Sequence, residues 1–213
     1  FPTYKFLCQA ATFIGVETTF CGDEFPFIVQ NRTMAGQFSA HVMTSIISGF
    51  IISFPYILYE FWKFISPGLL EKEKAKSRGF IFISSMLFFI GVLFGYYIIS
   101  PLSINFLGTY QVSSQVLNEI DLGSFISLVR SSAIASGIIF ELPIIIYFLT
   151  KAGVVTPESL VKYRKYALVL VLVLAAIITP PDVASQIIVA IPIVVLYQVS
   201  IFISRIVIKN QTK

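Results

Sequence analysis

The sequence predicts an all-α fold, a polytopic bundle of membrane helices forming a single transmembrane domain over residues 1–213. Three observations predict it. Apolar residues make up 56% of the chain and charged residues only 12%, against about a quarter charged in soluble proteins, and mean hydropathy is +0.87. Five long apolar stretches are separated by charged or turn-rich segments. Lys and Arg gather on alternate connections. Water could not solvate so much apolar surface, so the net charge of +4 belongs to loops beside a bilayer and not to a nucleic-acid-binding face. Barrel strands would alternate in polarity every other residue. These runs are apolar on every face, and in lipid a helix satisfies its own backbone.

The stretches follow in order. Val42 to Ile65 contains Pro55, and Gly79 to Ser100 carries no charge. Ile126 to Thr150 holds Arg130 and Glu141. Tyr166 to Ile178 has only 13 residues, and Val183 to Ser204 contains Pro192. With flanking residues these give helices over 39–65, 79–100, 122–150, 163–179 and 183–206, and connecting loops at 66–78 and 151–162. At ~1.5 Å per residue the fourth stretch reaches about 20 Å, short of a ~30 Å hydrocarbon core. It must recruit flanking residues or sit where the bilayer thins.

Orientation follows from the cations. Lys63, Lys72, Lys74, Lys76 and Arg78 lie at the first connection. Lys151, Lys162, Arg164 and Lys165 lie at the third, and Arg205, Lys209 and Lys213 at the end. The opposite side offers Lys5 and Arg32, and Pro101 to Asp121 has neither Lys nor Arg. The basic loops and the tail 207–213 are therefore expected in the cytoplasm, and residues 1–38 outside. No intact signal peptide opens the chain, so carrying that outer segment across requires one further helix upstream, six in the intact protein. Cys8 and Cys21 both fall in the outer segment. An oxidising compartment would let them bridge, a closure worth about 3 kcal/mol; the other reading is two independent buried thiols.

Glu141 is conspicuous on energy alone, because a carboxylate near a helix centre costs about 2.5–3.5 kcal/mol to insert. Pro143 frees a backbone carbonyl one turn upstream. Arg130, eleven positions earlier, shares its face at ~16 Å. The pair reads as the wall of a polar cavity, or as a Glu hydrogen-bonded to a neighbouring helix with Arg130 snorkelling outward; the functional reading is preferred for Glu141 and the snorkelling one for Arg130. Glu71 and Glu73 could accept forked guanidinium hydrogen bonds, or simply belong to a mixed-charge loop. Asp182 reads as a helix cap and Gln186, one turn on, as a donor across to another helix. Gly91 and Gly95 are spaced for a packing groove. His41 is the sole histidine, no Cys/His metal set exists, and no nucleophile has a plausible base within the spans. Neither enzyme chemistry nor a cofactor is expected.

Several strings, in order along the chain, resemble the TatC family of the twin-arginine protein translocase. Phe54 to Leu69 (FPYILYEFWKFISPGL) resembles the segment entering that family's first cytoplasmic loop, and Glu73 falls at its loop glutamate. Phe140-Glu141-Leu142-Pro143 resembles its fourth-helix motif. Thr179-Pro180-Pro181-Asp182, with Ser185-Gln186 and Ile191-Pro192, resembles its last hairpin. The resemblance implies six helices with both termini cytoplasmic, the first being absent from this sequence, in the bacterial inner membrane. It implies docking of twin-arginine signal peptides of folded proteins at Phe64 and Glu73, with Glu71 adjacent. Glu141 would be the intramembrane carboxylate of a concave face. Asp182 and Gln186 would contact single-span TatA/TatB-type subunits in a multimeric receptor complex driven by the proton motive force. Gln198 departs from the family, where many relatives carry Glu. Two other classes fit the residues themselves: a small-solute secondary transporter with a midmembrane Glu site, suggested by prolines interrupting three helices, and a passive scaffold in which Glu141 only specifies packing.

Overall fold

A computed structural model describes residues 27–65, 77–113, 118–179 and 183–211. A short strand β1 (Ile28–Gln30) leads into helix α1 (Gly36–Ile65). The second span is composite: α2 (Ser77–Phe94) passes through a π-helical turn at Gly95–Ile99 into α3 (Ser100–Thr109). Strand β2 (Glu119–Asp121) opens α4 (Leu122–Phe140), which breaks at Glu141 and continues as α5 (Leu142–Lys151). A short α6 (Pro157–Lys162) precedes α7 (Arg164–Ile178), and α8 (Val183–Gln211) closes the chain.

Among the described residues four spans are long and apolar enough to cross a membrane: Gly36–Phe64, Ile81–Thr109, Leu122–Lys151 and Ser185–Lys209. The fifth apolar helix, α7, has 15 residues and so covers only about 22 Å. Large apolar side chains point outward along these helices, with Ile52, Phe61 and Ile177 all more than half exposed. That is the signature of lipid as the outer solvent.

Three expected boundaries differ. The interval 101–121 between the expected helices 79–100 and 122–150 is helical through Pro101 as far as Thr109. Proline removes one N–H and clashes with the preceding turn, and the chain absorbs both by widening to i→i−5 bonds. The Ser100 backbone N–H reaches the Gly95 carbonyl, and the Ser100 hydroxyl donates to that same oxygen at 2.8 Å. Within the expected loop 151–162, α6 is nucleated by a capping box in which Thr156 and Ser159 bond each other's backbone N–H, with Pro157 behind the cap. The expected tail 207–213 is helical as far as Gln211. Two strands appear where none was expected: β1 and β2 pair in parallel, Ile28 with Glu119 through Gln30 with Asp121. An Arg32–Glu119 ion pair of 2.9 Å staples them.

Helix α4 is the hub, packed against α1, α2, the π turn and α3, while α8 packs on α5, α6 and α7. Glycine permits the closest approach. A Cβ at Gly95 would lie 2.4 Å from the Ser132 carbonyl oxygen, and one at Gly91 would lie 2.8 Å from both the Phe140 side chain and the Ser136 carbonyl oxygen. Gly153, at φ 72°, stops α5: the Gly153 N–H returns to the Thr150 carbonyl and the Val154 N–H to that of Leu149. The tightest apolar cluster joins Ile99 of the π turn to Val171 and Ala175 of α7 and to Val189, Ala190 and Ile193 of α8. Helix α7, too short to span unaided, is anchored there.

Candidate functional site

Glu141 occupies the break between α4 and α5, and Pro143 is the cause. Lacking an N–H, Pro143 cannot continue the α4 ladder, and its ring excludes an undistorted preceding turn. The backbone at Glu141 flattens to φ −76°, ψ −4°, its N–H reaching the Ile138 carbonyl at 3.1 Å while its own carbonyl accepts from Ile144 and Ile145. The side chain is 8% exposed. Its Oε2 accepts a 2.5 Å hydrogen bond from the hydroxyl of Ser84 on α2. Its Oε1 is buried with no hydrogen-bond partner. A buried carboxyl with one partner leaves an acceptor whose desolvation is uncompensated, so the group can receive a donor brought to it along this face or exchange a proton.

The surroundings are rigid and aromatic. Phe88, one turn from Ser84 on α2, stacks on Phe54 of α1 with centroids 3.6 Å apart, and Gly137 accommodates that ring. Phe140 lies 5.5 Å from Phe94.

Arg130 is not part of this site. Snorkelling was expected of it; its Nε and Nη1 are buried and without partners, while the residue as a whole is half-buried on α4. Ser103 Oγ on α3 is likewise buried and unpartnered.

Gln186 is engaged within the chain, its amide donating to the Leu172 carbonyl of α7 at 2.9 Å. Phe64 is 83% exposed in the last turn of α1. Glu71, Glu73, Asp182, Cys8 and Cys21 lie outside the described residues. Among the described residues no group of His, Cys, Asp and Glu is arranged to hold a metal.

Sequence reasoning missed Ser84, Thr150, Arg164 and Tyr197. Thr150 bonds Ser204 at 2.9 Å between α5 and α8. The Tyr197 hydroxyl donates to the Leu160 carbonyl at 2.8 Å, and the Arg164 guanidinium donates to Gln198 Oε1. The available signal was a hydroxyl-bearing residue inside an otherwise apolar helix, since such groups seek partners across helices. It marks candidates without naming their partners.

The sequence matches the family model of the Sec-independent protein translocase protein (TatC) over residues 3–192. The TatC protein of Blattabacterium sp. (strain BPLAN) is 50% identical over 183 residues, covering 86% of this chain and 69% of its own length. That of Aquifex aeolicus (strain VF5) is 43% identical over 167 residues, with 77% and 68% covered. A crystal structure of the twin-arginine translocase receptor TatC superposes with a TM-score of 0.69 at 36% identity, over 96% of this chain and 86% of that one. With the family model covering residues 3–192 and a curated relative 50% identical over 86% of the chain, the chain belongs to the TatC family of Sec-independent protein translocase proteins.

Proposed function

We propose that this chain is the receptor core of a twin-arginine translocase, recognising signal peptides of folded cargo and assembling with single-span TatA/TatB-type subunits for export driven by the proton motive force. One observation carries the reading: the likeness, at 36% identity and over 96% of the chain, to a structure described as a twin-arginine translocase receptor. Phe64 supports it by presenting an apolar ring at the end of α1, where the chain enters the segment bearing Glu71 and Glu73. In this scheme Glu73 accepts forked hydrogen bonds from the arginine pair, Glu71 adds negative potential beside it, and Phe64 packs on apolar signal residues. The apolar part of the signal then lies along the face holding Glu141, whose open Oε1 accepts a donor from the inserted segment. Asp182 and Gln186 form the partner-subunit contact at the end of α7 and α8, where the short helix α7 favours a thinned bilayer. The basic connections and the C-terminus face the cytoplasm of a bacterial inner membrane, and the segment 1–38 faces the periplasm with Cys8 and Cys21 bridged.

Crosslinking tests the docking step. In the full-length protein, Glu73→Gln removes the charge while keeping the shape. Crosslinking to an Arg-Arg signal peptide should fall about ten-fold or more, and the parent protein should lose a similar factor when the signal carries Lys-Lys. Unchanged crosslinking in Glu73→Gln would exclude that carboxylate from docking.

A further inference from the structure

Helices α7 and α8 part at the end that carries Arg164, leaving a groove of about 470 Å³ between them. Its walls are Ala167, Leu168 and Val171 from α7 with Val194 and Val195 from α8, and Arg164 stands at its mouth. Val171 is 4% exposed at the groove's inner end, and beyond it Ala175 and Val189 are fully packed. From Arg164 to Val171 is seven residues, about 10 Å along the helix. A flexible hydrocarbon chain can enter this recess.

The mouth is cationic and unneutralised. Arg164 donates from Nη2 to Gln198 Oε1, which aims the guanidinium across the groove and leaves its other donors available. Exposed Lys165 follows directly and exposed Lys162 lies two residues before. Among the described residues no carboxylate forms an ion pair with Arg164, Lys162 or Lys165. Exposed Tyr163 and Tyr166 flank the cluster, amphipathic rings of the kind that settle at a membrane–water interface. An apolar recess opening to lipid below a basic rim at headgroup level is the arrangement that holds anionic lipids between membrane helices.

The geometry points to a binding site for an anionic phospholipid, one acyl chain seated between α7 and α8 and the headgroup phosphate held by Arg164 and Lys165. Bound there, the lipid fills the recess between the short helix and its neighbour and adds apolar contact between α7 and α8 beside the Arg164–Gln198 hydrogen bond.

Native mass spectrometry tests this on the whole chain released from nanodiscs of phosphatidylcholine containing phosphatidylglycerol. The parent protein should retain one phosphatidylglycerol. Arg164→Gln should weaken that retention roughly five-fold, the effect of one interfacial cation, without altering the trace retention of phosphatidylcholine. Ala167→Trp, which fills the recess, should abolish retention of the anionic lipid. Arg164 is exposed, so its substitution reads cleanly even if the tryptophan variant fails to fold. Equal retention of phosphatidylglycerol by Arg164→Gln would overturn the proposal. So would equal retention of the two lipids by the parent, or displacement of the adduct by inorganic phosphate alone, which would mark a simple anion site.

Discussion

At the scale of single residues, the contact between Ser84 and Glu141 is the one most open to measurement. The Ser84 hydroxyl is fully buried and is the hydrogen-bond donor to Glu141, whose second oxygen has none. Hydrogen bonds between helices in a bilayer contribute about 0.6 kcal/mol on average and up to about 1.7. A short one to a carboxyl that is otherwise unsatisfied belongs at the upper end. Ser84→Ala should therefore destabilise the purified protein by about 1–2 kcal/mol in a denaturant titration. Glu141→Gln should cost less, because an amide oxygen can still accept from Ser84. In a double-mutant cycle with Glu141→Leu, the loss from Ser84→Ala should vanish; if it persists undiminished, the serine acts by packing and not through the carboxyl. Glu141 was identifiable from sequence because a carboxylate in an apolar run is costly wherever it ends up. Ser84 was not: nothing in a serine among phenylalanines says which helix lies opposite. Arg130 shows the same limit in reverse. Snorkelling is what an isolated helix would permit, and the neighbours of α4 bury the Nε and Nη1 of Arg130 without offering either a partner.

At the scale of elements, the fold depends on how closely α2 and its π turn approach α4. The glycines at 91 and 95 were readable as a packing spacing, and the structure gives that spacing a surface, the backbone at Ser132, Ala133 and Ser136 together with the Phe140 side chain. Backbone cannot swing aside as a flexible side chain can. Gly95→Ala would set its methyl 2.4 Å from the Ser132 carbonyl oxygen and 2.7 Å from Ala133 Cα, so the helices must separate, at a cost of about 1–3 kcal/mol. Gly49, on α1, is the natural control: a methyl there meets nothing within 4 Å, and Gly49→Ala should be neutral or stabilising by up to about 1 kcal/mol through helix propensity. Parallel unfolding titrations of the two variants check this. Equal behaviour would mean that α2 and α4 are not held by close approach. The expected helix 79–100 ended one residue before Pro101, and proline usually ends a helix. The π turn before that proline, held by the Ser100 hydroxyl on the Gly95 carbonyl, is a local remedy visible only once the turn is built.

At the scale of the whole molecule, apolar length and cation placement carry the architecture, and they are properties that a sequence displays directly. What sequence does not display is contact across distance: the β1–β2 pairing, for instance, joins residues about ninety positions apart through three residues on each side. That pairing brings the start of α1, the end of α3 and the start of α4 to one end of the bundle, with Phe27 lying against Gly108 and Asn118 bonded to the Gly108 and Tyr110 carbonyls. The Gly153 turn and α6 lie at the far end of the α4–α5 span. Position along the bundle thus separates Val112, 90% exposed, from Gly153, which is also exposed. In the orientation proposed from the bias of Lys and Arg, the end holding Gly153 faces the cytoplasm. In the full-length protein with Cys8 and Cys21 replaced by serine, a membrane-impermeant maleimide added to intact cells with a permeable outer membrane should label Val112→Cys. Gly153→Cys should react only after the inner membrane is opened. The reverse pattern would turn the bundle over and place Glu73 on the wrong side to meet a signal arriving from the cytoplasm. Labelling of both from outside would mean that α4 and α5 do not form a continuous span.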